Sequence, residues 1–233
     1  MERRKWELLM SVVFIICAVA LAERGFLPAA GIAVTGQAGK QVVIIDAGHG
    51  GNDPGKIGVD DSKEKDINLQ IAKKLKVLLE QQDLEVRMTR EEDQGLYEEH
   101  SSNKKAQDLK NRCELINKTK PDCVVSIHQN SYHEEPVKGA QVFYYGTSGE
   151  AKELAEEIQE KLISYVDPQN HRQAKANESY YLLKKTSAPV VIVECGFLSN
   201  WAEAKLLQEE SYQSRIAWAI AMGVQRYLNV KNK

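Results

Sequence analysis

Apolar positions along the chain follow two spacings, and the switches between them mark the elements. Gln41-Val42-Val43-Ile44-Ile45-Asp46 is a short apolar run rich in β-branched residues, which predicts a strand buried on both faces. A glycine-rich loop follows, Gly48 to Gly58. From Glu64 to Gln82 the apolar residues Ile67, Ile71, Leu75, Leu78 and Leu79 recur at helical spacing. Leu84 to Thr89 reads as a second strand, and residues 91–103 are polar and charged, as in a surface excursion. A helix from Lys104 to Lys118 carries Leu109, Cys113 and Ile116 on one face and ends before Pro121. Cys123 to Ile127 is another buried strand, and Ala140 to Tyr145 alternates like an antiparallel edge strand. Gly149 to Tyr165 is helical, residues 167–179 are a polar loop, and Tyr180 to Leu183 is a short extended piece. Pro189-Val190-Val191-Ile192-Val193 is the last strand, before helices over Ala202–Leu207 and Ser211–Leu228. Strands alternating with helices predict a single α/β domain over 41–230, a mostly parallel twisted sheet with helices on both faces.

The start of the chain has a different character. Arg3, Arg4 and Lys5 precede an apolar run from Leu8 to Ala22, broken only by Ser11, which ends in Ala20-Leu21-Ala22. A basic start, an apolar stretch and a small-x-small end are the three parts of a secretory signal. The run is 15 residues, shorter than the roughly 20 that span a bilayer. Residues 1–22 are therefore read as a signal peptide or a short membrane anchor, and 23–40 as a tether. Bulky Ile16 ahead of Cys17 argues against lipidation there.

Composition narrows the partners. The chain of 233 residues is 42% hydrophobic with a net charge of -2, which suits a globular domain with a sizeable core. Residues 1–22 carry three basic and two acidic side chains, so the remainder stands at -3. A mildly acidic domain gives no electrostatic case for nucleic acid. Cys113, Cys123 and Cys195 are odd in number and contain no CxxC, which reads as small buried hydrophobes rather than a disulfide framework.

Of five histidines, two stand out by position. His49 comes three residues after the first predicted strand, and His128 directly follows the strand ending at Ile127. Glu194 ends the last strand, and Glu64 opens the first long helix. In open α/β sheets, sites form at the carboxyl ends of the strands. His, Glu and His are a standard set for catalytic zinc with water in the fourth position. Their spacing is long-range and contains no HExxH, so this is not a zincin-type protease. On the residues alone two readings stand. One has His49, Glu64 and His128 as metal ligands. The other has two hydrogen-bonded loop histidines and a carboxylate favoured by the helix dipole. His100 and His171 lie in polar stretches. His133 is five residues beyond His128, off any shared helical face.

The stretch Ile45-Asp46-Ala47-Gly48-His49-Gly50-Gly51-Asn52-Asp53-Pro54-Gly55 resembles the opening motif of the type 3 N-acetylmuramoyl-L-alanine amidases. Further blocks of that family appear in order: Glu64-Lys65-Asp66-Ile67-Asn68-Leu69, Met88-Thr89-Arg90, Ser126-Ile127-His128-Gln129-Asn130, and Val193-Glu194-Cys195-Gly196-Phe197-Leu198-Ser199-Asn200. The similarity covers residues 41–228. Gln129 departs from the pattern, which more often has a small or apolar residue there. Asp108-Leu109-Lys110-Asn111-Arg112 and Tyr180-Tyr181-Leu182-Leu183-Lys184 look close to the germination-specific branch found in spore formers.

The resemblance implies one Zn2+ per chain held by His49, Glu64 and His128, with Glu194 as the catalytic carboxylate. It implies peptidoglycan as substrate, cut between N-acetylmuramic acid and L-alanine, with a role in removing stem peptides for spore cortex maturation. Zinc lowers the pKa of a coordinated water from about 15.7 towards about 7, and a carboxylate kept off the metal can carry that proton to the leaving nitrogen. Asn130 is a candidate substrate contact, and Asp46 a candidate support for His49. Arg90 and Arg112 read as structural. Action on peptidoglycan requires export to the cell envelope or the space between forespore membranes, with attachment through the leader or an accessory protein as targeting devices. Three other functions stay open: a vegetative wall amidase, a zinc peptidase on wall peptides, and a non-catalytic peptidoglycan-binding module.

Overall fold

The sheet orders itself around the runs of β-branched residues. The computed structural model describes residues 39–231 together with Trp6 and Met10; the rest of the leader and nearly all of the tether lie outside the described residues. Among the described residues, no helix is long and apolar enough to cross a membrane. Six strands form one sheet: β1 (Val42–Ala47), β2 (Glu85–Met88), β3 (Cys123–Asn130), β4 (Gln141–Tyr144), β5 (Lys175–Ala176) and β6 (Val190–Phe197), in the order β2-β1-β3-β6-β4-β5. Every pairing is parallel except β4 against β6. β1, β3 and β6 are the interior strands with the longest apolar runs, as burial on both faces demands.

Alternation along these strands divides two cores. Val43, Ile45, Val125, Ile127, Val191 and Val193 face one side. They pack there with the apolar stripes of helices α1 (Glu64–Glu80), α3 (Gly149–Tyr165), α5 (Trp201–Gln208) and α6 (Glu210–Lys231). Ile44, Val124, Val190 and Ile192 face the other side, where α2 (Lys104–Thr119) supplies Cys113 and Ile116 and the short α4 (Tyr181–Lys185) supplies Leu182 and Leu183. Fully burying such a side chain contributes roughly 1.5–3 kcal/mol. Cys113, Cys123 and Cys195 are buried and free, in line with their reading as small hydrophobes.

The helices begin where capping chemistry allows. Asn103, Ser148 and Asn200 accept from the backbone N–H three residues on, at α2, α3 and α5. Helix α1 has no side-chain cap. Its first N–H groups, of Glu64 and Lys65, donate instead to the carbonyls of Lys56 and Pro54, which ties the glycine-rich loop to the helix start.

Three local expectations need correction. β3 and β6 run on past Ile127 and Val193, so His128 and Glu194 lie within strands rather than at or beyond their ends. β4 is not an edge, because the two-residue strand β5, inside the stretch read as a loop, pairs outside it. Residues 181–185 are a helical turn rather than an extended piece, since Leu182 and Leu183 must both enter the core beneath α2.

Candidate metal centre and active site

β1 leads to β2 on one side, while β3 pairs with β1 on the other, so the order in which strands are laid down reverses between β1 and β3, although the two run parallel. Crevices open at the carboxyl ends of strands at such points. His49 lies two residues past the end of β1 and His128 lies in β3, flanking this opening. Glu64 arrives from the start of α1.

The turn that carries His49 is left-handed, with φ of 62° at His49, 132° at Gly50 and 57° at Gly51. The carbonyls on either side of this turn leave the strand ladder, and buried carbonyls need donors. Two buried arginines supply them. Arg90 donates from Nε to Ala47 O at 2.9 Å and from Nη2 to Gly48 O at 3.1 Å and Lys65 O at 2.7 Å. Arg112 donates from Nη1 to Ala47 O at 2.9 Å and from Nη2 to His49 O at 2.7 Å. Both guanidiniums are structural, as read from the sequence, yet they are buried in the wall of the site itself.

Asp46 does not touch the His49 ring. It accepts from Thr89 Oγ1, Ser126 Oγ and Arg112 Nη1 at 2.8, 2.6 and 2.6 Å, and reaches His49 only through Arg112. Burial works against its ionised form, but the Arg112 charge and the Ser126 hydroxyl outweigh burial and hold its carboxyl at about 2. The ring's partner is Asp53, whose Oδ2 lies 2.9 Å from His49 Nδ1. A proton on Nδ1 shared with this carboxylate leaves Nε2 as the free donor atom.

Glu64 is nearly fully buried, and its Oε1 sits 3.2 Å from His49 Nε2 and 2.9 Å from His128 Nδ1. It also accepts from Gln129 N at 3.1 Å and Asn68 Nδ2 at 3.4 Å, while Oε2 accepts from Lys56 N at 2.7 Å. His49, Glu64 and His128 each offer one ligand atom within 4.8 Å of the others, a group that could hold a metal ion. Its electrostatics suit a cation. Burial would lower the His49 imidazole, but the Asp53 and Glu64 carboxylates outweigh burial and keep it up at about 9. Burial would raise Glu64, but both histidines hold it far below the usual carboxylate range. Carboxylates that bind a proton this firmly on imidazole would serve a divalent ion in the same place.

Glu194 stands directly across from His128 in the register of β3 and β6. The pairing then slips, with Asn130 opposite Phe197, so β6 bulges just past the site. Period-2 alternation puts Glu194 on the face of Val190 and Ile192. It is 5% exposed. Its Oε1 accepts from the Tyr180 hydroxyl at 3.1 Å, while Oε2 is buried with no hydrogen-bond partner among the described residues. Burial, with Glu64 adding to it, pushes Glu194 above the usual carboxylate range. A buried carboxylate with one free oxygen beside a candidate metal group is suited to proton transfer. Asn130, at the end of β3, accepts from Ser131 N through Oδ1 at 2.8 Å.

His133 is exposed beside Glu134 and Tyr132, apart from the trio. Gln129 turns away from the trio into the core, where Nε2 donates to Asn68 Oδ1 at 3.1 Å. Asp53, Asn68 and Tyr180 were not singled out in the sequence reading. The available signals were Asp53 within the opening motif and Asn68 one helical turn after Glu64. For Tyr180 the signal was its place in the stretch Tyr180 to Lys184, which resembles the germination-specific branch but assigns no role to the hydroxyl.

An α/β sheet with a His-Glu-His group that could hold a metal ion, and a buried carboxylate across from one of its histidines, has the donor set and the proton carrier that a metal-dependent hydrolase needs. Comparison with known proteins gives the family. The family model described as N-acetylmuramoyl-L-alanine amidase matches residues 43–226, and the chain belongs to that family. The germination-specific N-acetylmuramoyl-L-alanine amidase of Bacillus subtilis (strain 168) is 37% identical over 194 residues, covering 82% of this chain and 81% of that protein. The CwlD amidase from Clostridioides difficile, solved in complex with the GerS lipoprotein, is 45% identical with a TM-score of 0.80, over 82% of this chain and all of that one. An N-acetylmuramoyl-L-alanine amidase from Clostridium difficile 630 is 35% identical with a TM-score of 0.73, over 82% of this chain and 98% of that one. The enzyme class is thus amidase, acting on peptidoglycan.

Proposed function

We propose that the chain is a zinc amidase of the spore cortex. It hydrolyses the bond between N-acetylmuramic acid and L-alanine and strips stem peptides during cortex maturation and germination. The observation that carries this reading is the pairing of His128 with Glu194 across β3 and β6, which sets an unpartnered carboxylate oxygen beside the His-Glu-His group.

Two imidazoles and one carboxylate are the donor set of catalytic zinc, and one ion per chain would be held by His49, Glu64 and His128. When bound, zinc supplies Lewis acidity that polarises the amide carbonyl and makes water a competent nucleophile. The chain's own groups do the rest. Asp53 fixes the His49 tautomer. Glu194, held off the metal in this reading, takes the proton of the attacking water and delivers it to the L-alanine nitrogen as the amide C–N bond breaks. Asn130, two residues past His128 on β3, is the substrate contact in this reading.

The cortex role is supported by the similarity to the germination-specific amidase and to CwlD. Residues 1–22 export the domain to the cell envelope or the space between forespore membranes and serve as signal or anchor, 23–40 as tether and 41–230 as catalytic domain. The neighbour solved with a lipoprotein supports an accessory protein as a second attachment.

The test is mass spectrometry of cortex-type peptidoglycan after incubation with the protein and zinc. The expected product is muramic acid with a free lactyl carboxyl. Cleavage between amino acids would mean a peptidase, and no release a binding module.

A further inference from the structure

Tyr180 opens a stretch that resembles the germination-specific branch but has no role assigned by that resemblance, yet its hydroxyl is the one hydrogen-bond partner of the Glu194 side chain among the described residues. We propose that Tyr180 is a positioning residue for hydrolysis: its hydroxyl fixes Glu194 Oε1 and so aims Oε2 at the reacting atoms. The proposal rests on the reading of Glu194 as the proton carrier.

The terminal torsion of a glutamate is broad, with no strong intrinsic preference. Backbone register places the Glu194 side chain opposite His128 but leaves that torsion open. One hydrogen bond to Oε1 closes it. The donor is itself held at several points. The Tyr180 ring meets Phe143 of β4 edge to face, with centroids 5.8 Å apart and an interplanar angle of 70°. Its backbone N–H donates to Asn177 Oδ1 at 3.1 Å. Asn177 N donates in turn to Tyr144 O at 2.8 Å, which fastens the loop to β4. Burial, and after it the Glu194 charge, push the phenol above its ordinary value, so it remains protonated and a donor. A ring kept only to cover Phe143 would need no hydroxyl. The neighbouring Tyr181 is exposed.

The test separates the hydroxyl from the ring. Tyr180→Phe keeps the packing on Phe143 and removes only the donor. In steady-state hydrolysis of peptidoglycan fragments by the zinc-loaded full chain, its kcat falls about tenfold, in the range of one hydrogen bond to a charged group. KM stays within about twofold, and zinc content and Tm match the parent. Tyr181→Phe changes none of these. In a Glu194→Ala background, Tyr180→Phe costs less than about twofold more, because its only partner there is gone. A parental kcat in Tyr180→Phe, a full tenfold loss in the Glu194→Ala background, or a loss confined to KM or zinc content would overturn the proposal. A parental kcat in Glu194→Ala would remove the catalytic reading of Glu194 itself. An inactive Glu194→Ala beside a fully active Tyr180→Phe removes the role of Tyr180 alone.

Discussion

Arg112 Nη1 lies 2.6 Å from Asp46 Oδ1, an ion pair in which each side chain is only 2% exposed. The same guanidinium caps the carbonyls of Ala47 and His49, so this pair couples the sheet interior to the turn that presents a candidate ligand. Removing one partner strands the other charge in the core, at a cost of about 3–5 kcal/mol. Arg112→Ala is expected to lower the unfolding free energy from urea titration by that amount, with a lower midpoint, and to weaken metal uptake with it. An unchanged midpoint would show that the pair contributes nothing net.

The pair also sets a pH dependence. Asp46 is held at about 2 against an ordinary 3.8. A depressed folded-state value means that the stabilisation is complete above 3.8 and is lost as pH falls through about 2. The difference corresponds to about 2 kcal/mol. The stability gap between the parent and Asp46→Asn should narrow by about that much from pH 6 to pH 2 in denaturant titrations. A gap that stays constant over this range would remove Asp46 as the titrating group.

Two glycines leave no room beside the candidate ligands. A Cβ on Gly48 would run into the His128 ring. A Cβ on Gly55, where φ is +69°, would come within 2.5 Å of Glu64 Oε2 and 2.7 Å of His49 Cδ2. Gly48→Ala and Gly55→Ala should bind well under one zinc by elemental analysis and lose at least tenfold in rate, with circular dichroism little changed. Gly149→Ala, at a helix start with nothing within 4 Å, should keep both zinc and activity.

Metal content separates Glu64 from Glu194. Glu64→Ala, like His49→Ala and His128→Ala, should lose zinc and activity together. Glu194→Ala should lose at least about 10²-fold in kcat yet retain the ion, as expected of a proton carrier. Equal zinc loss in both glutamate variants would make Glu194 a ligand and reverse the assignment.

What could be read along the chain was whatever burial imposes locally. The β-branched runs at 42–46, 123–127 and 190–193 and the helical spacing from Ile67 to Leu79 follow from how a strand or helix hides its apolar side, and the structure keeps each inside one element, although β3 and β6 run on to Asn130 and Phe197. His49, Glu64, His128 and Glu194 were legible because they stand where apolar runs give way to polar chemistry. Pairwise contact was not legible. That His128 faces Glu194 depends on the register of β3 against β6, 66 positions apart in the chain. That Asp53 rather than Asp46 holds His49 depends on a left-handed turn that folds the loop back four residues later. Tyr180 reaches Glu194 because α4 must bury Leu182 and Leu183, which turns an apparent extended piece into a helical one and brings the preceding side chain over the site. Periodicity is a property of neighbours in sequence. The choice of partners across the crevice belongs to strand order, register and the satisfaction of buried polar groups, which only the folded chain decides.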